Sequence, residues 1–263
     1  MDLGLRDRVA CVAAASSGLG RGVALALARE GASVVLCSRD EGRARDAAAS
    51  IASETGASVM GVAADVTTAA GVERFIGAAI DTHSRLDILV TNAGGPPSGT
   101  FDTTDDDAWE RAFHLTLMSA VRLARIALPH MTARKWGRIL NITSISAKQP
   151  VDGLLLSNAM RAAVTGMAKT LSREVAPHGV TVNTILPGYT GTERLVDLAS
   201  VIADREGLSR DDVYARWASE TPIGRIATVE EFAAVAAFLV SAPASYITGA
   251  AIPVDGGWIR SLL

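Results

Sequence analysis

Two cysteines, three tyrosines and four histidines are all that 263 residues hold of the side chains most often recruited for thiol, phenol and metal chemistry. Cys11 and Cys37 fall inside two apolar runs that read as strands, where small buried thiols are common, and a reducing compartment would keep them unpaired. His83, His114, His130 and His178 show neither metal-ligand spacing nor a cysteine in register, so no metal site is expected. Basic residues are not in excess: 25 Lys and Arg stand against 28 Asp and Glu, a net charge of -3. With no basic tail or stripe there is no electrostatic footprint for nucleic acid. No apolar run reaches membrane-spanning length without Gly, Pro or charge, and Met1 to Arg8 lacks a signal-peptide core. The chain is therefore expected in the cytoplasm, away from membranes.

What the sequence does have is alternation. Short apolar runs at 8–14, 33–37, 59–64, 86–90, 138–142, 181–186 and 250–254 are separated by Ala-rich helical stretches. That pattern predicts repeated βαβ units: a single α/β domain over 1–263, with a Rossmann-type, doubly wound sheet of about seven parallel strands and helices on both faces. The rhythm breaks at 188–221, too long for a plain connection, which predicts a flap over the active cleft. Two helices, 109–131 and 161–175, leave little polar face; a second copy of the chain is the simplest cover, so a homo-oligomer, dimer or tetramer, is expected. Asp105-Asp106-Asp107 reads as the capped, solvated start of the first of them.

The first run leads into Ser16-Ser17-Gly18-Leu19-Gly20 and then a helix over 21–30. A Gly-rich turn of this kind lets the backbone approach a pyrophosphate, whose charge rests on free N–H groups at the helix N-terminus. Ordinary strand-to-helix turns use the same residues, so Gly18-x-Gly20 alone does not establish nucleotide binding. Asp65-Val66 closes the third run, where it suits either an adenine edge or a helix N-cap. Asn92-Ala93-Gly94-Gly95 closes the fourth, at the sheet edge where ligands bind.

Ala13-Ala14-Ala15-Ser16-Ser17-Gly18-Leu19-Gly20, Asn92-Ala93-Gly94, Asn141-Ile142-Thr143-Ser144, Val182-Asn183, Pro187-Gly188-Tyr189-Thr190-Gly191-Thr192, Ile247-Thr248-Gly249 and Val254-Asp255-Gly256-Gly257 follow one another in order. In this the chain resembles the short-chain dehydrogenase/reductase family over essentially its whole length, nearest to a divergent 3-oxoacyl-carrier-protein reductase-like subgroup. The resemblance implies a nicotinamide cofactor held by Ala14, Ser16, Ser17, Gly18, Leu19, Gly20, Ser38, Arg39, Asp65, Val66, Asn92, Ala93, Gly94, Pro187, Gly188 and Thr192, the last toward the nicotinamide amide. An NAD enzyme of the family carries an acid at position 38 for the ribose 2′-OH; here Ser38 is followed by Arg39, which favours a 2′-phosphate and NADP(H) over NAD(H). Ala14 stands where the family has the first Gly of its motif, so a methyl crowds the turn.

The chemical end departs further. The resemblance implies a catalytic Ser, Tyr, Lys and Asn acting on a small carbonyl or alcohol substrate; only the first survives, as Ser144, while Ser157, Arg161 and Thr116 stand at the other three positions. An aliphatic hydroxyl does not titrate near neutral pH as a cation-assisted phenol can, and a guanidinium does not release its proton. Arg161 keeps a positive charge and donors for ribose hydroxyls; Ser157 leaves room for water or a differently shaped substrate. Lys148, just after Ser144, is the first candidate for a replacement proton donor, against the alternative of a solvent-facing loop lysine; Tyr189 is the second. Pro96-Pro97 stiffens one wall of the cleft. Three functions stay open: an oxidoreductase with an altered proton donor, a redox-silent nucleotide-binding protein of the same fold, and elimination or isomerisation beside a spectator nucleotide.

Overall fold

A computed structural model describes residues 1–262. Seven strands form one sheet: β1 (Val9–Val12), β2 (Ser33–Ser38), β3 (Val59–Ala63), β4 (Ile88–Thr91), β5 (Gly137–Ile142), β6 (Val180–Pro187) and β7 (Ala251–Val254). Their order is β3-β2-β1-β4-β5-β6-β7, every neighbouring pair parallel. The expected seven-stranded doubly wound architecture is thus present. Its order reverses between β1 and β4, and it is outside the carboxyl ends of such a pair that these sheets bind ligands.

Successive strand residues face opposite sides, so each strand feeds two cores. Ala10, Val12, Val34, Leu36, Ile88 and Val90 pack under α1 (Gly18–Arg29), α2 (Glu41–Thr55) and α9 (Val229–Leu239). Val9, Cys11, Val35, Cys37, Leu89 and Ile139 pack on the other face under α3 (Ala69–His83), α5 (Ser119–Ala133) and α6 (Leu155–Val175). Burial holds the Cys37 thiol up to about 12 and pushes Cys11 higher still, so neither is a nucleophile in the folded chain.

Three differences from the expected elements bear on the cleft. The helix expected over 109–131 begins earlier, at α4 (Asp106–Ala112), with Asp105 accepting from the Ala108 N–H at 2.8 Å, as the Asp run suggested. It then widens into a π-helical turn over Phe113–Met118 before continuing as α5. The helix expected to start at 161 starts at Leu155, which puts Ser157 and Arg161 on consecutive turns of α6. Segment 188–221 is a pair of helices, α7 (Glu193–Glu206) and α8 (Arg210–Glu220), closed around Leu195, Ala199, Ala203, Val213 and Trp217.

Several motif residues prove architectural. Asn183 donates from Nδ2 to the Ile247 carbonyl at 2.7 Å and accepts from the Ala250 N–H at 3.1 Å, while Thr248 Oγ1 accepts from the Val182 N–H at 3.1 Å. These bonds fasten the return of the chain into β7. Asn141 accepts from Thr91 Oγ1 at 2.8 Å, crossing β4 and β5 inside the sheet.

Candidate active site

At the reversal point the chain leaves β1 through Ala14, whose φ of +47° is left-handed, and reaches Gly18 at +57°. For a residue with a Cβ that conformation costs about 1–2 kcal/mol. It is held from outside: Asn92 Nδ2 donates to the Ala14 carbonyl at 3.1 Å. Gly20 permits this closure, since a Cβ there would stand 2.6 Å from Ala14 O and 2.9 Å from Asn92 Nδ2.

Ser17 caps α1 in an extended conformation, yet its side chain takes no capping hydrogen bond. The first turn of the helix closes only with the Arg21 N–H on the Ser17 carbonyl, 3.2 Å. The amides of Gly18, Leu19 and Gly20 therefore precede the intrahelical ladder and are the donors a pyrophosphate would take. Leu19 offers only its amide, because its side chain packs toward the core. Half-exposed Ser16 and Ser17 line the same turn.

At the end of β2, Ser38 Oγ accepts from the Asp40 N–H at 3.3 Å and Arg39 is exposed without an ion pair among the described residues. Arg39, Asp65, Thr67, His114, Leu115 and Arg122 line one groove of about 600 Å³. Asp65 is not the cap of α3: Thr68 is, accepting from Gly71 N–H at 3.0 Å, while Asp65 Oδ1 takes the Thr67 N–H and hydroxyl at 2.9 and 2.8 Å. That removes the helix-cap alternative for Asp65. Val66 is buried in the core, so only its backbone is available to a ligand. Asn92 and Ala93 are half-buried, and Gly94 is exposed, with open space where a Cβ would project.

Pro187 ends β6, and Gly188 lies so close to β7 that a Cβ would sit 2.7 Å from the Asp255 Cα. Thr192 caps α7, and its Cβ and Cγ2 lie 3.7 Å from where a Gly18 side chain would begin. The α7–α8 segment thus starts directly against the Gly-rich turn.

The other wall of the cleft is built by the segment after β5 and by α6. Ser144 caps a short 3-10 turn, Ile145–Ala147, and its Oγ accepts from the Ser146 N–H at 3.1 Å. The Ser146 hydroxyl lies 3.3 Å from that of Ser157, so Ser146 connects the two, meeting Ser144 through its amide and Ser157 through its hydroxyl. Arg161, one turn further along α6, is only 8% exposed; Nη1 donates to the Ile142 carbonyl at 3.1 Å, and its Nε–H has no partner. Burial, and then the like charge of Arg194, lower its pKa to about 10. Thr116 stands in the π turn, buried, its Oγ1 also without a partner. A π turn displaces a carbonyl and side chain from the regular ladder and recurs at functional sites.

The two candidate proton donors differ in placement. Lys148 follows the 3-10 turn, half-buried, in no ion pair among the described residues. Tyr189 turns toward α8: its ring stacks on Trp217 at 4.9 Å, and its hydroxyl lies 3.5 Å from Glu220 Oε2. Burial and that carboxylate raise its pKa, the wrong direction for a proton donor. Tyr189 thus serves the packing of the α7–α8 pair, a correction to its candidacy. Pro96 is buried and its carbonyl accepts from Arg194 Nη2 at 3.1 Å, so the loop after β4 is tied to α7. Gly99 N–H donates to the Gly153 carbonyl at 2.7 Å, joining the same loop to the segment that enters α6.

Ser146 and Arg194 were not among the sequence-derived candidates. Ser146 carried a weak signal, two residues after Ser144; Arg194 carried none beyond its place in the long segment after β6.

A seven-stranded parallel sheet with a Gly-rich strand-to-helix turn beside the point where its order reverses defines a dinucleotide-binding type of fold. Residues 13–259 match the family model described as Enoyl-(Acyl carrier protein) reductase. The chain is 33% identical over 252 residues to the short-chain reductase protein NovJ of Streptomyces niveus, covering 96% of this chain and 94% of that protein. It is 33% identical over 255 residues to the 3-oxoacyl-[acyl-carrier-protein] reductase FabG of Vibrio harveyi, covering 97% and 98%. Its structure is similar to that of L-sorbose reductase from Gluconobacter frateurii complexed with NADPH and L-sorbose, with a TM-score of 0.95, 36% identity and full coverage of both chains. The chain belongs to the short-chain dehydrogenase/reductase family and is an oxidoreductase of that family. Among the described residues, no helix is long and apolar enough to cross a membrane.

Proposed function

We propose that this oxidoreductase uses NADP(H) to interconvert a small carbonyl compound and its alcohol, with serines and an arginine in place of the family's phenol and lysine. The observation that carries the reading is the Ser144–Ser146–Ser157 cluster, with Arg161 one turn away, across the cleft from the Gly-rich turn. The cofactor fits this chain: uncapped amides open α1, Gly94 leaves open space, and exposed Arg39 meets a groove wide enough for the adenosine end. NADPH in the sorbose reductase complex supports the phosphate-bearing cofactor, as does the absence of a carboxylate at Ser38.

When bound, the nicotinamide supplies or accepts the hydride. The protein's part is to orient the carbonyl and manage its oxygen. Ser144 donates to that oxygen as negative charge develops, the kind of preorganised donor worth most in a site that excludes water. Ser157, in the phenol's place, relays a proton through Ser146 from water or from Lys148. Arg161 favours the developing alkoxide by its charge and holds ribose hydroxyls, while its own proton stays put. The helix pair α7–α8 acts as the flap, and a homo-oligomer is supported by α6, where Ala162 is exposed and Gly166 faces open space.

The test is direct. Purified protein with NADPH and a panel of small ketones, keto acids and keto esters is followed by nicotinamide absorbance. Turnover that stops with Ser144→Ala supports the assignment; cofactor binding without oxidation of NADPH by any substrate favours the redox-silent reading, for which the replaced tyrosine and lysine speak.

A further inference from the structure

We propose that Arg194 is a positioning residue that fastens the start of α7 across the mouth of the cofactor cleft, with Gly95 as its seat, and so sets how fast NADP(H) leaves. This rests on the cofactor and flap reading above and adds the side chain that holds the flap in place.

The α7–α8 pair hangs on one narrow neck. Ala227 N–H donates to the Tyr189 carbonyl at 3.0 Å and Gly191 N–H to the Ala227 carbonyl at 2.9 Å, so the chain leaves and returns through a single parallel bridge between Thr190 and Ala227. At the same end, Ile223 N–H donates to the Gly256 carbonyl at 3.2 Å. Beyond the neck the pair packs on itself: Leu195, Ala199, Ala203, Val213 and Trp217 belong to neither sheet core. A segment with its own core, attached at one end, moves as a body, and contacts across the cleft decide where it rests.

The first turn of α7 supplies such contacts, and they are unequal. Thr192 offers the Gly-rich turn only its Cβ and Cγ2, 3.7 Å from where a Gly18 side chain would begin. Glu193 meets Arg43 of α2 at 3.5 Å, an ion pair between exposed groups of the kind that contributes little. Arg194 makes the directional contact: its Nη2 donates to the carbonyl of buried Pro96 at 3.1 Å, a charged donor on a fixed acceptor. Its seat is cleared for it. A Cβ on Gly95 would stand 2.7 Å from Nη2, 3.0 Å from Cζ and 3.2 Å from Nε. Gly95 is not among the left-handed glycines, so its backbone could carry a side chain, and the space that one would fill holds the guanidinium.

These contacts close a ring. Asn92 Nδ2 ties the loop after β4 to the Ala14 carbonyl, Arg194 ties the other end of that loop to α7, and Thr192 stands beside Gly18. A dinucleotide with its pyrophosphate at the start of α1 and its nicotinamide toward Ser144 lies inside the ring. Asn92 is half-buried, whereas Arg194 is exposed, so the ring opens at the arginine.

Two measurements on the full chain test this, the second needing no cofactor. In stopped flow, bound NADPH is chased with excess NADP+. Arg194→Met and Gly95→Ala should each release it about 10-fold faster, the scale of one charge-assisted hydrogen bond. Gly95→Ala keeps the arginine's charge and only evicts it from its seat, which separates position from long-range attraction. Arg194→Lys keeps a cationic donor and should restore release to within about 3-fold of the unmutated rate. For the second, nitroxides are placed through Asp197→Cys on α7 and Asp81→Cys on α3, both exposed, the native thiols being buried. Pulsed electron resonance should give one narrow distance in the free chain, broadened alike by Arg194→Met and Gly95→Ala. Unchanged release or an unchanged distance in either variant, or a loss that Arg194→Lys does not reverse, overturns the proposal. The two readings fail separately. Distances that depend on Arg194 in a chain that never oxidises NADPH keep the fastening and remove the reductase; turnover with release and distances indifferent to Arg194 keeps the reductase and removes the fastening.

Discussion

On the proposed reading, the turn after β1 and the first turns of α6 both depart from the family pattern, but in opposite ways. At the turn, Ala14 replaces glycine and the backbone still takes the glycine's conformation, φ +47°, pinned by the Asn92 amide. The change adds strain and leaves the chemistry alone. On α6 the backbone is an ordinary helix, and the side chains have changed: Ser157 cannot act as a phenol, and Arg161 holds charge without passing protons. On that reading a cofactor cradle made of amides would tolerate a methyl, because backbone donors remain whatever the side chain. A proton-transfer site made of side chains has no such reserve, so replacing two of them changes what the site can do.

The largest expected effect lies on the chemical side. Ser144→Ala should lower turnover about 10²-fold, near the loss typical of one donor to a developing oxyanion, with the NADPH dissociation constant unaltered. Steady-state kinetics beside a fluorescence titration separates the two, and an unchanged rate would remove Ser144 from the mechanism. Next comes the cradle's selectivity. Ser38→Asp with Arg39→Leu should reverse a preference for NADP(H) of about 1–3 kcal/mol by adding a carboxylate for the 2′-OH and removing the phosphate's partner. Titration with both cofactors reads this out; equal affinities in the unmutated chain would refute the preference.

Restoring Ser157→Tyr together with Arg161→Lys tests whether α6 is a damaged reductase or one refitted to another substrate. We expect the native activity to fall by about 10-fold, the level of one lost charge-assisted contact, with no gain on simple 3-oxo esters. Brisk reduction of 3-oxo esters by the double variant would show that the cleft had kept its ancestral geometry. The smallest effect belongs to the strained turn. Ala14→Gly trades relief of about 1–2 kcal/mol against the extra freedom glycine gives the unfolded chain, about 0.4–1 kcal/mol. A thermal melt should rise by about 2 °C, and a fall would mean that Ala14 is not strained.

Much of the cradle was legible because it is local: apolar runs, the glycines at 18 and 20, and the Asn92 turn each dictate their own backbone, and regular βαβ alternation dictates the sheet. Ser157 and Arg161 were also found by register, since no gap separates them from Ser144. What stayed hidden depends on contacts distant in sequence. The π turn around Thr116 interrupts a run whose periodicity reads as continuous helix. Arg194 acquires meaning only when α7 folds back on the loop at Gly95 and Pro96. Tyr189 had the right chemistry for a proton donor, and only the Trp217 stack and Glu220 show that it faces elsewhere.

The two cysteines on β1 and β2 give the fold an internal clock. Cys11 and Cys37 are buried in the central strands beneath α3 and α5. With their thiols held protonated, reaction with an aromatic disulfide waits for the sheet to open rather than for a loop or flap to breathe. The rate at which native protein releases two equivalents of thiolate dye would therefore time opening of the sheet itself, and its slowing by NADPH would measure how firmly the cofactor locks the scaffold.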